Sequence, residues 1–493
     1  MRAANEAYAP PAPTDSRSSR ARPSLVLLVG ALVAIGCATP RADAAPPRAG
    51  GTGGAAAAQG SPAAQGSPAA RSIDSVLALA TFDSAWARIN ATYYDSTFRG
   101  IDWAGIRAEL RPRAAAAPDI AALRNVIREM MGRLGESHFT LIPAERANTV
   151  SGDTVASAAR GDGDAGLTLG LGEGRVLVAR VDPASPAWAA GVRPGWTVDA
   201  IDGDSVAGAL REYAALTANE QRLALPGLVG RLEVQLEGPV GASVPVAFRD
   251  AEDRPITRGI VRQAASGRPV AFGNLPPIRA SVERERLPVA GGGCVGVVRF
   301  SIWLPAILPA LDSALTAVRD CRGLVIDLRG NPGGLGAMAP GLGGYLLDSA
   351  VSLGTMRMRS GELRFVVNPR YSTAAGAPMR PFAGRVALVV DERSASTSEV
   401  FAAGLQVIER ARVFGRTTAG QALPAYTTRL PNGDVLLHAF ADLTGPDGTR
   451  IEARGVVPHE RVPLERATLR AEGDPPLARA VRWAGAGAGG DTR

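Results

Sequence analysis

The stretch VALVVDERSASTSEVFAAGLQVIERAR, residues 386–412, decides the fold. Val386 to Val390 are continuously apolar, the pattern of a buried strand. The polar run DERSASTSE forms a turn, and an amphipathic helix follows with Val400, Leu405 and Ile408 toward a core. A serine at such a strand-to-helix turn lies where unpaired amide groups and the positive end of the helix dipole converge. That environment suits a nucleophile whose intermediate carries negative charge. The same residues also read as a capping box, with Ser396 at the N-cap and Glu399 three residues on. Such boxes far outnumber reactive serines, so the rest of the chain must separate the two readings.

Outward from this stretch the unit repeats. CVGVVRF (294–300) is a strand, PAILPALDSALTAVRD a helix opening on proline, and GLVIDLRGNPGG (323–334) a strand entering a glycine-rich turn. Repeated strand–helix–strand units predict a parallel α/β core over 251–485, entered through a connector at 250–288. Leu430-Pro431-Asn432-Gly433-Asp434 marks a hairpin-like turn. Further upstream, GLTLGLGEGRVLVARVDPASPAWAAGVRPGWTVDAIDGDSV (166–206) resembles a PDZ domain, which sets a domain at 165–250. Such domains add an extended peptide to a sheet edge and hold its terminal carboxylate on backbone N–H groups. Here the edge is Gly166, Leu167, Thr168, Leu169, Gly170 and Leu171; the plainer reading is a spacer. Before a small polar linker, 73–146 reads as a helical domain. Phe82, Trp86, Ile89 and Tyr93 share one helix face, and Ile120, Leu123, Ile127, Met130 and Leu134 another. It ends in GRLGESHFTLIP, carrying His138, which taken alone reads as an ordinary structural histidine.

Composition narrows the classes. The 493 residues are 46% hydrophobic and 20% charged, which is globular rather than disordered. The net charge of +7 is spread as arginines among acids with no aromatic-interleaved basic patch, which argues against a nucleic-acid partner. All 54 basic residues are arginine, so no lysine can serve as a base. The run SLVLLVGALVAIGC, preceded by arginines and ending at Cys37, has a signal-peptide layout for residues 1–37 and resembles a lipoprotein cleavage site. It predicts export to the periplasm with a lipid anchor on Cys37; cleavage further on, near ADAA, is the alternative. The composition of residues 38–71, rich in Ala, Gly, Pro, Gln and Ser, predicts an unfolded tether, and 486–493 a flexible tail. Export makes Cys294 and Cys321, at the starts of consecutive strands, eligible for a disulfide, with two buried free thiols the simpler expectation.

The PDZ-like segment, GLVIDLRGNPGG and DERSASTSEVFAAGLQ together resemble the C-terminal processing peptidases, the tail-specific protease family. That resemblance spans about 73–485 and implies a crotonase- or ClpP-like α/β core with an N-terminal helical domain and an inserted PDZ domain. It implies a serine peptidase of polypeptide substrates, without metal or cofactor, with Ser396 as nucleophile. The oxyanion hole would use the N–H of Thr397 and of Gly333 or Gly334. The Ser–Lys branch of the family has its lysine where this chain has Gln421, so either the protein is a silent binder or its base lies elsewhere. A second branch, which includes the tricorn core protease, uses a histidine in a Ser-His pair and a glutamate before a Gly-Val-x-Pro segment. Ser137-His138 and Glu452 stand in those contexts, with Asp447 a nearby alternative acid. A crotonase-type acyl-CoA enzyme is the more distant rival, and the PDZ-like segment has no place in it.

Overall fold

The computed structural model describes residues 72–147, 161–373 and 376–486; the expected leader with Cys37, the 38–71 spacer and most of the 147–164 linker lie outside the described residues. Among the described residues no helix is long and apolar enough to cross a membrane.

The chain begins with three helices, α1 (Ser75–Thr92), α2 (Trp103–Ala115) and α3 (Ile120–Gly132). Asp102 and Asp119 cap the second and third, each accepting a backbone N–H at the first turn. The apolar stripes meet as expected: Phe82, Ile89, Tyr93, Leu123, Ile127 and Met130 form one buried cluster. Leu430 and Leu436 from the far end of the chain enter the same cluster, so the helical region shares its core with a later hairpin. Its last segment, β1 (Thr140–Ile142), completes the attachment by pairing with a core hairpin described below.

A small antiparallel sheet follows, built from β2 (Leu167–Gly172), β3 (Arg175–Val181) and β4 (Thr197–Ile201). A long helix, α4 (Ala218–Leu236), then leads to β5 (Ser243–Arg249) and β6 (Pro255–Val261). The strand order is β2-β3-β4-β5-β6, leaving β2 at one edge, and α4 buries Leu228, Val229 and Leu232 against Val178, Val246 and Phe248. Because β6 pairs with β5 along its whole length, this body runs through Val261 and does not end at 250. The supposed connector at 250–288 is likewise mostly strand. Its strands are mostly exposed or half-buried, a pattern that reads weakly in sequence.

The large body is a six-stranded sheet. Its strands are β7 (Val282–Pro288), β8 (Cys294–Phe300), β9 (Gly323–Asp327), β10 (Arg385–Val390) and β11 (Ala411–Gly415), with α5 (Leu308–Val318) and α6 (Thr397–Val407) between them. The hairpin β12 (Ala425–Arg429) and β13 (Val435–Ala439) leaves the sheet to pair with β1; β14 (Glu460–Arg461) returns, and α7 (Pro475–Gly485) closes the chain. The order is β7-β8-β9-β10-β11-β14, parallel except at β7. Alternation explains the unbroken apolar runs. Leu324, Ile326, Val386, Leu388 and Val390 face the cluster shared with α5 and α6, while Val325, Ala387 and Val389 face Ala480 and Ala484 of α7.

Cys294 and Cys321 are joined by a disulfide, which corrects the expectation of two free thiols. Their strands are direct neighbours, with Val295 opposite Gly323, so the two Cα atoms stand 4.8 Å apart. The bridge closes a loop with a sequence separation of 27, for which chain entropy predicts a contribution of ~3–4 kcal/mol. Replacing both cysteines by alanine should lower the unfolding free energy by that amount in chemical denaturation. An unchanged midpoint would mean that the unfolded chain already keeps this loop closed without the bridge.

Candidate active site

Ser396 sits between the end of β10 and the start of α6, with φ +54° and ψ −118°. Non-glycine residues rarely hold a positive φ, and the conformation persists only where surrounding bonds enforce it. Those bonds are present. The Ser396 N–H donates to the Gln421 carbonyl (2.9 Å) and to Glu399 Oε2 (3.0 Å), the latter being the return half of the expected capping box. The Ala395 N–H donates to the Asn331 carbonyl (3.0 Å), and Ser394 Oγ to the Leu328 carbonyl (2.8 Å). The loop carrying Ser396 is thereby bonded to the glycine-rich turn after β9.

That turn is held from both sides. Asp327 is fully buried between Arg299 and Arg329, and Arg329 extends to Asp474 at 2.7 Å. Burial alone would raise the Asp327 carboxyl, but the two guanidinium groups outweigh it and keep it well below the usual carboxylate range. Asn331 Oδ1 accepts the Gly333 N–H (3.0 Å), and Thr397 Oγ1 donates to the Gly334 carbonyl (2.9 Å). Among the described residues the N–H groups of Gly334 and Thr397 have no acceptor. Of the two glycines named from sequence, Gly334 therefore has the available donor and Gly333 does not. Gly333 is needed for space: at φ +97°, a Cβ there would lie 2.6 Å from Ser396 Cβ.

His138 follows α3 in a loop of its own, also at positive φ (+60°). Its Nδ1 lies 2.8 Å from Ser137 Oγ, and Ser137 Oγ donates to Glu452 Oε2 at 2.8 Å. Because the hydroxyl proton goes to the carboxylate, Ser137 Oγ can only accept from the imidazole, which places the proton on Nδ1 and a lone pair on Nε2. Glu452 also accepts the Ser137 N–H (2.9 Å) and the Ala422 N–H (2.8 Å), with Arg222 at 3.9 Å. Glu452 is thus connected to His138 through Ser137. Ala422 follows Gln421, the residue bonded to Ser396, so one short run of backbone ties all these groups together. Ser396 Oγ and His138 are not themselves hydrogen-bonded.

Burial pushes the His138 imidazole down to about 4, so it is neutral at ordinary pH. Burial raises Glu452, against the stabilising bonds from Ser137 and Ala422. Glu399, fully buried beside Ser396, is pushed up to about 7 by the same cause. This occurs although Thr418 Oγ1 and the N–H groups of Gly420, Gln421 and Ser396 all donate to it.

The two remaining histidines, the alternative acid Asp447 and Gln421 are engaged elsewhere. His438 is buried with Thr92 and Thr428 hydroxyls on its two ring nitrogens, each at 2.9 Å. His459 Nδ1 accepts the Val413 N–H at 3.0 Å. Asp447 closes its own turn through Thr449 and does not reach the site. Gln421 uses its side-chain amide to hold the Arg222 carbonyl on α4 (3.0 Å). Sequence reasoning missed the intermediary Ser137, although the Ser-His pair was its signal. It also missed Glu136, whose buried carboxylate takes bonds from Tyr93, Tyr94, Arg99 and Arg450. Glu136 thereby pins the His138 loop to the Glu452 loop.

Residues 295–462 match Peptidase family S41, and residues 80–132 match the Tricorn protease C1 domain. Residues 295–462 are accordingly a serine-type peptidase domain, a hydrolase. A Tetradesmus obliquus protein named C-terminal processing peptidase, chloroplastic, is 26% identical over 399 residues, 80% of this chain and 79% of its own length. A tricorn protease homolog of Streptomyces coelicolor is 26% identical over 420 residues, and the chain spans 32% of that relative's length. The fold is shared with a photosystem II D1 C-terminal processing protease, at TM-score 0.52 and 21% identity over 83% of this chain and 98% of that one. It is also shared with mature CPAF, at TM-score 0.54 and 14% identity over 84% and 99%.

Gly333→Ala should abolish labelling of Ser396 by a fluorophosphonate probe, since the new Cβ and Ser396 Cβ cannot both keep their places. Labelling at the wild-type rate would show that the loop can shift without consequence.

Proposed function

We propose that the chain is an exported serine endopeptidase that cleaves polypeptides through an acyl-enzyme on Ser396. His138 is its base, and its recognition domain reads the substrate's free C-terminus. The single observation that supports this best is the hydrogen-bonded run Glu452–Ser137–His138, which leaves Nε2 of a neutral imidazole as acceptor in a chain without lysine.

In this mechanism Nε2 takes the Ser396 proton as Oγ attacks the scissile carbonyl carbon. The oxyanion that forms is stabilised by the N–H groups of Thr397 and Gly334, fixed in place beforehand by the Thr397 hydroxyl bond to Gly334. The imidazolium is stabilised through Ser137 by the Glu452 carboxylate, then returns its proton to the leaving amine. Water attacks the acyl-enzyme with the same groups acting again. The recognition domain, read as PDZ-like, would take the tail along the β2 edge, Gly166 to Leu171. Export and a lipid on Cys37 belong to the same reading, on the leader's composition.

His138→Ala and Ser396→Ala should each cut kcat by a factor of order 10³ or more on a peptide substrate, and the double variant little further. Ser137→Ala, which interrupts the run but spares His138, should lower kcat roughly 10–100-fold with KM nearly unchanged. A near-wild-type Ser137→Ala enzyme would mean that Glu452 acts without it.

The pH profile offers a separate check. The neutral imidazole is the active form and burial lowers its pKa, so kcat/KM should hold on acidification and fall only near pH 4. An acid limb near the ordinary histidine value would show that the imidazole is well hydrated in the working enzyme.

A further inference from the structure

The recognition edge is already occupied by a carboxylate of the chain itself. The Leu169 N–H, in the middle of β2, donates to Glu233 Oε1 at 3.0 Å. Glu233 lies in the last turns of α4, and its second oxygen accepts from Arg393 Nη1 at 2.8 Å. Arg393 belongs to the loop that leads to Ser396, and its own N–H donates to Asp391 Oδ1 (3.1 Å), which also accepts the Gly330 N–H (2.9 Å). One carboxylate therefore links the edge strand of the small sheet, the loop before Ser396 and, through Asp391, the start of the glycine-rich turn. The pair is largely shielded, with side-chain exposures of 15% for Arg393 and 27% for Glu233. Beside it lies a cavity of about 340 Å³ lined in part by Leu167, Thr168, Arg180, Glu233 and Arg393.

We propose that Glu233 is a specificity-determining residue, an internal competitor that a substrate's terminal carboxylate must displace from the Leu169 N–H. The inference rests on the reading of the β2 edge as a tail-binding site and names what controls that site. Two carboxylates cannot share one amide donor without strong repulsion, so the incoming tail and Glu233 exclude each other. An uncharged tail offers too little in exchange for a charge-assisted bond and leaves Glu233 in place. A charged tail that displaces Glu233 Oε1 shifts the carboxylate that Arg393 holds through Oε2, so occupancy of the edge is felt at the loop bearing Ser396. Apparent tail affinity is reduced by the fraction of molecules in which Glu233 holds the edge.

The test uses the full chain carrying Ser396→Ala, to prevent cleavage, and a fluorescein-labelled decapeptide ending in valine, as free acid and as amide. Fluorescence anisotropy gives Kd for each. Glu233→Gln, nearly isosteric, should tighten binding of the free acid by about tenfold, the scale of one charge-assisted hydrogen bond, and change the amide less than twofold. Glu233→Asp, which keeps the charge on a shorter arm, should fall between wild type and Glu233→Gln. It also serves as the readout if Glu233→Gln does not fold. If the free acid binds better than the amide but neither substitution alters its Kd, tail recognition stands and the competitor role is wrong. If Glu233→Gln weakens the free acid, Glu233 assists the tail and the inference is overturned. If acid and amide bind alike in every variant, the tail-binding reading fails and takes the inference with it.

Discussion

The arrangement around Ser396 depends on the Glu452 carboxylate. It accepts the Ser137 N–H, the Ser137 hydroxyl and the Ala422 N–H, and so joins a loop of the helical region to the segment after β11. Each donor would lose its partner if the carboxylate went, and an unsatisfied buried donor costs about 1–3 kcal/mol. Glu136 reinforces the same junction from the side through Arg450, two residues before Glu452. Two buried carboxylates thus hold the His138 loop, and neither touches the imidazole. The result is a histidine oriented by a hydroxyl, with the negative charge one bond further away.

Absence of lysine gives this arrangement its meaning. At the Gln421 position the backbone is fully used, with the carbonyl accepting from Ser396 and the N–H donating to Glu399. The side-chain amide turns away to α4, where Arg222 in turn bonds the Gly420 carbonyl. Gln421 instead braces the Ser396 loop against α4 of the small-sheet body. The proposed base enters from the opposite side, in a loop that β1 fastens to the core hairpin. Removing the imidazole from water lowers its pKa and keeps it neutral, at the cost of making its protonated form harder to reach.

Three of the nine described non-glycine residues at positive φ lie at these places. Ser396, His138 and Ala453, the neighbour of Glu452, all hold positive φ without being glycine. Such conformations cost of order 1–3 kcal/mol each and survive where surrounding bonds overdetermine them. Here the surroundings are ion pairs and carboxylate-to-amide bonds, including the Asp327–Arg329–Asp474 chain beneath the glycine-rich turn.

What the amino-acid sequence determined by itself is local. The strand Val386–Val390, the turn and helix after it, the glycine-rich turn and the hairpin at Leu430–Asp434 follow from periodicity and turn chemistry between near neighbours. Ser396, His138 and Glu452 were singled out by local contexts that resemble a peptidase family, and the structure joins the last two through Ser137. The extent of the small sheet to Val261 was not, because its half-exposed strands carry little apolar pattern. Nor was the disulfide, which required knowing that β8 and β9 are adjacent. The bond from Ser137 to Glu452 spans 315 positions, and Leu169 meets Glu233 across 64. Only the tertiary structure decided those contacts, because a hydrogen bond is set by distance and direction in space, and residue spacing fixes neither beyond a few turns of chain.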